Sequence, residues 1–295
     1  MMQVEDRFAV NGEVRLHYAA AGEGPLLVML HGFPDFWGTW APLMEALADR
    51  WRVVAADLRG YNLSDRPQGE AAYGMSQLVG DVAAVVKAEG RTRATLIGHD
   101  WGGAIAWNVA TFLPALVERL VVLSMPHPAG FQQQVETNPV QQAGSAYVRM
   151  LLRPGFEKRL TAEGLLFWLR DEARRPAYLE ALGRSDFGAM LNYYRANYPR
   201  PGEAPARAPS SRKVKVPVLT IHGLKDAAVA AAGHAGTWDR VAADSTLLTI
   251  PDADHWVHHD AEALVNRTIR DWLIAREDLP GPAAPERPPL AFPAF

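Results

Sequence analysis

The feature that most constrains this chain is a single turn, Ile97-Gly98-His99-Asp100-Trp101-Gly102-Gly103, set between two apolar segments of different character. Before it, Ala94-Thr95-Leu96-Ile97 is a short apolar run suited to a parallel strand buried on both faces. After it, residues 104–110 begin a largely apolar helix pattern. A strand must therefore turn into a helix at once, and the flanking glycines let the two backbones approach closely. Gly-X-Asp-X-Gly alone would describe an ordinary turn, but strand, turn and helix in this order describe an elbow that lifts one side chain above a sheet. That side chain is Asp100, and its identity selects the chemistry. A serine alkoxide attacks a carbonyl and leaves an acyl ester, whereas a carboxylate displaces a leaving group from saturated carbon and becomes the acyl half of an alkyl ester. Asp100 thus points to an electrophilic sp3 carbon, as in an epoxide or an alkyl halide.

Around the elbow, strand-like runs at 26–30, 53–56, 94–97 and 120–123 alternate with helical patterns such as 75–88. This alternation predicts a mainly parallel sheet flanked by helices, an α/β fold. From 126 to 213 the pattern changes to successive amphipathic helices, closed by a Pro- and Arg-rich linker over 199–212; strand patterns resume at 216–221 and 246–250, and 261–276 reads as a final helix. The expected organisation is a discontinuous core, 1–125 and 214–279, an inserted helical cap, 126–213, and a Pro-rich C-terminal tail, 280–295. With 295 residues, 48% of them hydrophobic, the chain can bury a large core.

The formal net charge of -3, with both signs dispersed, offers no basic face for nucleic acid or an anionic membrane. No cysteine is present, which excludes disulfides, a reactive thiol and thiolate-bound metal. The charged first ten residues lack the apolar centre of a signal peptide and no run is long enough to span a bilayer, so the expected compartment is the cytoplasm.

An ester on Asp100 must be hydrolysed, which calls for a base and an acid to orient it. His255, in Asp252-Ala253-Asp254-His255-Trp256, follows the last strand pattern on a loop at the carboxyl edge of the sheet, where α/β proteins bind ligands. It is the expected general base. Asp226 follows the strand at 216–221 and is the expected orienting acid; Asp252 and Asp254 are rivals in type, but direct adjacency makes Asp254 a poor geometric partner. A histidine on its own is more often structural, and His255 is preferred among the nine by position. His258 and His259 stand near it in sequence, yet no His-Glu-X-X-His or other zinc spacing occurs, and neither metal nor cofactor is expected. The oxyanion of hydrolysis needs two donors. The elbow supplies the backbone N–H of Trp101, and the loop His31-Gly32-Phe33-Pro34 after the first parallel strand supplies that of Phe33, with Pro34 fixing the exit of the chain.

Together these residues resemble the α/β-hydrolase superfamily and, within it, the soluble epoxide hydrolases. The resemblance covers nearly the whole chain and rests on His31-Gly32-Phe33-Pro34-Asp35-Phe36-Trp37, on Asp57-Leu58-Arg59-Gly60-Tyr61 with Ser64-Asp65, on residues 98–103, on Asp226 and on His255-Trp256. It implies an α/β-hydrolase fold and two cap tyrosines that grip and protonate the epoxide oxygen. Ser145-Ala146-Tyr147 before Arg153-Pro154-Gly155 resembles the first tyrosine motif, and Leu191-Asn192-Tyr193-Tyr194-Arg195 resembles the second, giving Tyr147 and Tyr194. A cap tyrosine taken singly would more often be core, as Tyr193 and Tyr198 illustrate; the two motifs together favour the catalytic assignment, since a leaving alkoxide needs an acid. Haloalkane dehalogenase, the alternative, uses the same nucleophile but needs halide donors, and Phe33 stands where that family often has Asn. Trp101 after the nucleophile argues against a fluoroacetate dehalogenase, which places Arg there. A non-catalytic ligand binder on the same fold is a third alternative.

The aromatic rings of Phe33, Trp37, Trp101 and Trp256, with Pro34, are expected to line an apolar pocket. The implied partners are a small apolar epoxide and water, in a monomer or homodimer. Two departures from the family are visible. Asp254 replaces a small or neutral residue beside His255 and is expected to favour the charged imidazole, and Val148-Arg149-Met150-Leu151-Leu152 after Tyr147 is poor in aromatics.

Overall fold

The structure is a computed structural model, and it describes residues 2–198 and 212–277. Among these, eight strands form one sheet: β1 (Glu5–Asn11), β2 (Val14–Ala21), β3 (Leu26–Leu30), β4 (Arg52–Ala56), β5 (Ala94–His99), β6 (Val117–Leu123), β7 (Val218–Gly223) and β8 (Ser245–Ile250). Their spatial order is β1-β2-β4-β3-β5-β6-β7-β8, with β1, β2 and β4 antiparallel neighbours and every pair from β4 to β8 parallel. The parallel strands lie where the apolar runs predict them. The β1–β2 hairpin does not announce itself in that way: five of the seven β1 residues are exposed, so the strand carries no apolar stripe to reveal it.

The chain runs from β3 outward to β4 and then returns across the sheet to β5. The carboxyl ends of β3 and β5 are thus the point where strand order reverses, and a crevice opens there by topology alone. The two segments that flank it are His31-Gly32-Phe33 and Asp100-Trp101.

The core divides by strand face. Leu26, Val28 and Leu30 of β3 join one cluster, and Leu27 and Met29 join the other; all five are fully buried, each contributing about 1.5–3 kcal/mol. The helices α1 (Ala41–Leu47), α2 (Met75–Ala88) and α3 (Trp101–Phe112) follow β3, β4 and β5 in turn. Between β6 and β7 come α4 (Pro128–Thr137), α5 (Pro139–Gly144), α6 (Val148–Leu151), α7 (Ala162–Leu165), α8 (Arg175–Arg184) and α9 (Phe187–Asn197). Polar N-caps start several of them: Asn138 accepts the N–H of Val140 at 2.9 Å, and Asp186 that of Ala189 at 3.0 Å. After β8, α10 (Val257–Asp260) and α11 (Glu262–Ile274) complete the core. Apart from Arg212, the linker expected over 199–212 lies outside the described residues, as does the whole 280–295 tail. No helix among the described residues is long and apolar enough to cross a membrane.

Candidate active site

Asp100 stands between β5 and α3 with φ 51° and ψ -119°, a backbone conformation that a non-glycine residue adopts only when its surroundings hold it there. The surroundings here are backbone. A Cβ on Gly98 would meet the carbonyl oxygen of Gly102 at 2.4 Å, and one on Gly102 would meet that of Leu30 at 2.1 Å. Both glycines are therefore needed to press α3 onto β5 and β3. The N–H of Phe33 donates to Oδ1 of Asp100 at 2.9 Å across the crevice. Gly32 leaves the room for this, since its Cβ would stand 2.4 Å from that of Asp100. Trp101 opens α3, where a first-turn N–H has no acceptor within the helix.

His255 reaches the same point from the loop after β8. Its Nδ1 lies 2.8 Å from Oδ2 of Asp226, and its Nε2 lies 3.4 Å from Oδ2 of Asp100. Asp226 is fixed in turn by the N–H groups of Ala228 and Val229, each 2.8 Å from Oδ1. Gly223 at the end of β7 makes the approach possible, because a Cβ there would stand 2.3 Å from the carbonyl oxygen of Asp254. The electrostatics follow from this row of charges. Burial lowers the His255 pKa, but the Asp226 charge and hydrogen bonds to Asp100 and Asp226 outweigh it and raise the value to about 10. For Asp100, burial raises the pKa and the hydrogen bond and charge of His255 more than reverse the effect, leaving the carboxyl below its usual range.

Tyr194 of α9 is buried, with its ring edge-on to Trp101 at 5.0 Å and to Phe33 at 5.5 Å between centroids. Tyr147 precedes α6 and is partly exposed as a residue, and the Asp100 charge acts on both phenols. Desolvation is the main cause that pushes both up, and the two hydroxyls also interact with each other; each keeps its proton at neutral pH. Tyr193, by contrast, donates to the carbonyl of Arg59 at 2.9 Å and serves packing. Trp256 lies against His255, with centroids 5.0 Å apart, and stacks on Trp168 of the inserted helices at 4.5 Å with parallel planes. Pro34 is buried behind a cis peptide bond from Phe33. Trp37 is held differently from the other rings: its ring meets Phe36 and its backbone N–H donates to Oδ1 of Asp57 at 3.0 Å.

Asp254 is not among the main causes of the raised His255 pKa. Its Oδ1 accepts the N–H of Trp256 and its Oδ2 pairs with Arg170 at 3.0 Å, while the field that charges the imidazole comes from Asp226 and Asp100. The loop turns the side chain away from its neighbour's ring. Adjacency in sequence is a poor guide to which way a carboxylate faces.

A further polar group, without a sequence motif of its own, lies beside His255. Asp35, His99 and His258 are all buried, and one potential ligand atom from each lies within 4.8 Å of the others. Burial pushes the Asp35 carboxyl well above its usual range and is the largest influence bringing His99 down to about 3. His99 donates from Nε2 to the carbonyl of His255 at 2.9 Å. The available signal was position, since His99 immediately precedes Asp100 and Asp35 follows Pro34.

Comparison with known proteins agrees with this geometry. The family model of the alpha/beta hydrolase fold matches residues 25–262. The chain is 35% identical to the AB hydrolase superfamily protein YfhM of Bacillus subtilis, over 92% of this chain and 98% of that one. It is 34% identical to epoxide hydrolase 3 of Xenopus tropicalis, over 88% of this chain and 75% of that one. The crystal structure of Bacillus megaterium epoxide hydrolase with an inhibitor superposes with a TM-score of 0.85 at 28% identity, covering 91% of this chain and 100% of the other.

Proposed function

Because the chain belongs to the α/β-hydrolase fold family and is an epoxide hydrolase within it, we propose a route by which it converts an apolar epoxide and water to a vicinal diol. Oδ2 of Asp100, the oxygen not held by Phe33, attacks a ring carbon. The C–O bond breaks, its electron pair passes to the ring oxygen, and that oxygen takes a proton from Tyr147 or Tyr194. The product is an ester on Asp100, so its charge is gone. His255 then loses one of the two carboxylates that keep it protonated, and its proton passes to the tyrosinate left by ring opening, which restores the phenol and leaves a neutral imidazole able to act as base. It takes a proton from water, and the resulting hydroxide adds to the Asp100 carbonyl. The N–H groups of Phe33 and Trp101 stabilise the oxyanion, which collapses as the proton of the added hydroxyl passes to the departing alkoxide oxygen, releasing the diol and restoring the carboxylate. Asp226 holds the imidazole throughout.

Support comes chiefly from the alignment of Asp226, His255 and Asp100 at 2.8 and 3.4 Å. In this reading α4–α9 form a cap over the carboxyl ends of the strands, and the rings of Phe33, Trp101, Tyr194 and Trp256 favour an apolar substrate. The test is a single turnover in oxygen-18 water with excess enzyme and styrene oxide. The first-turnover diol should carry unlabelled oxygen from the enzyme and the label should appear in the Asp100 peptide; label entering the diol directly would refute the ester route.

A further inference from the structure

The loop that carries Asp226 is gripped from two sides by buried side chains that take no part in the route above. Gln141 of α5 accepts the N–H of Ala230 with Oε1 and donates from Nε2 to the carbonyl of Ala228, both at 2.8 Å. It thus holds the backbone on either side of Val229, and it is 1% exposed. From the sheet, His222 of β7 approaches the carbonyl of Val229 with Nε2 at 3.0 Å. A carbonyl only accepts, so the proton sits on Nε2 and Nδ1 is left to accept from His234 Nε2 at 3.0 Å. The cap and the core therefore each contribute a side chain to the same three residues. Lys225 and Ala227 of this loop are exposed, and a short surface loop without regular structure depends on such bonds for its rigidity. The contact with the cap is close: a Cβ on Gly144 would stand 2.3 Å from the carbonyl oxygen of Ala227, and Tyr147 follows Gly144 by three residues.

We propose that Gln141 and His222 are positioning residues for ester hydrolysis, fixing the Asp226 loop between them, with Gln141 tying it to the segment that presents Tyr147. The proposal rests on the assignment of Asp226 and His255 as acid and base. Asp226 works only if its Oδ2 stays in line with the Nδ1–H of His255, and that line is set by residues 228–230 through the two N–H bonds to Oδ1.

Rapid-quench single turnovers with styrene oxide, followed through the mass of the Asp100 peptide over a range of pH, separate ester formation from hydrolysis. Gln141→Leu and His222→Phe are expected to form the ester within about twofold of the wild-type rate and to hydrolyse it about 10- to 100-fold more slowly. The acid limb of hydrolysis should move to lower pH. His255 faces Asp226 and Asp100, with His99 and His258 beside it, and Asp226 also faces His222; in these variants Asp226 is the charge displaced. His222→Gln keeps an N–H for Val229 and should hydrolyse the ester near the wild-type rate. Equal slowing of both steps, an unmoved acid limb, or His222→Gln as slow as His222→Phe overturns the proposal. An ester in the wild type with unchanged hydrolysis in the variants overturns this inference alone, whereas no ester in the wild type overturns the route and the inference together.

Discussion

Nε2 of His255 stands 3.4 Å from Oδ2 of Asp100, so the proposed base and nucleophile share one electrostatic field before substrate arrives. Part of the rise of His255 to about 10 comes from the Asp100 charge and hydrogen bond. Asp100→Asn is expected to bring the imidazole titration down while the fold persists, and NMR titration of His255 measures it directly. A value unchanged by the substitution would remove Asp100 from the causes and, with it, the idea that ester formation releases the base.

The two phenols carry a separate prediction. Both keep their protons at neutral pH and both are influenced by the Asp100 charge. A hydrogen bond to developing charge contributes about 1.5–3 kcal/mol, so Tyr147→Phe and Tyr194→Phe should each slow ester formation about 10- to 100-fold while leaving hydrolysis of the formed ester alone. Rapid-quench kinetics decide it; ester formation at the wild-type rate in the double variant would exclude both from proton transfer.

His17 gives the fold a pH dependence of known sign. Its Nδ1 lies 2.6 Å from Asp57 and its Nε2 2.9 Å from Asp6. Burial lowers its pKa, but the two carboxylates raise it on balance above 6.5. A value raised by folding contributes stability that is fully present below 6.5 and is lost as the pH rises through the folded value. Melting temperatures from about pH 6 to about pH 9 should therefore fall more steeply for the wild type than for His17→Gln. Parallel curves would contradict this.

Arg59 and Asp81 form a bidentate pair at 2.5 and 2.6 Å, with both side chains nearly buried. Asp81→Asn leaves the guanidinium without its counter-charge and should cost about 3–5 kcal/mol. The backbone carbonyl of Arg59 holds the Tyr193 hydroxyl beside Tyr194, so ester formation should slow as well. Chemical denaturation measures the first effect. A loss well under 1 kcal/mol would mean that water reaches the guanidinium and screens it.

What could be read from the sequence follows from how locally each feature is determined. The elbow was legible because Gly98 and Gly102 are required within one turn, and β3, β4, β5 and β7 because strands buried on both faces are largely apolar; β8, whose residues alternate between exposed and half-buried, was legible from Leu247, Leu248 and Ile250. The β1–β2 hairpin was not, since an exposed edge strand needs no apolar pattern. Within the candidate site, the convergence of Asp100, Asp226 and His255 was legible from order along the chain, whereas the direction of Asp254 and the grip of Gln141 depend on contacts across 84 and 89 residues. No pattern of local spacing encodes those.

The stack of Trp168 on Trp256 has a consequence for protein engineering. Trp256 is the immediate neighbour of the proposed base, and its partner ring lies in the turn between α7 and α8, within the segment proposed as the cap. A chimera that grafts a foreign segment between β6 and β7 trades away that ring, so on the proposed route the surroundings of His255 change with the cap unless the graft brings its own flat surface for Trp256.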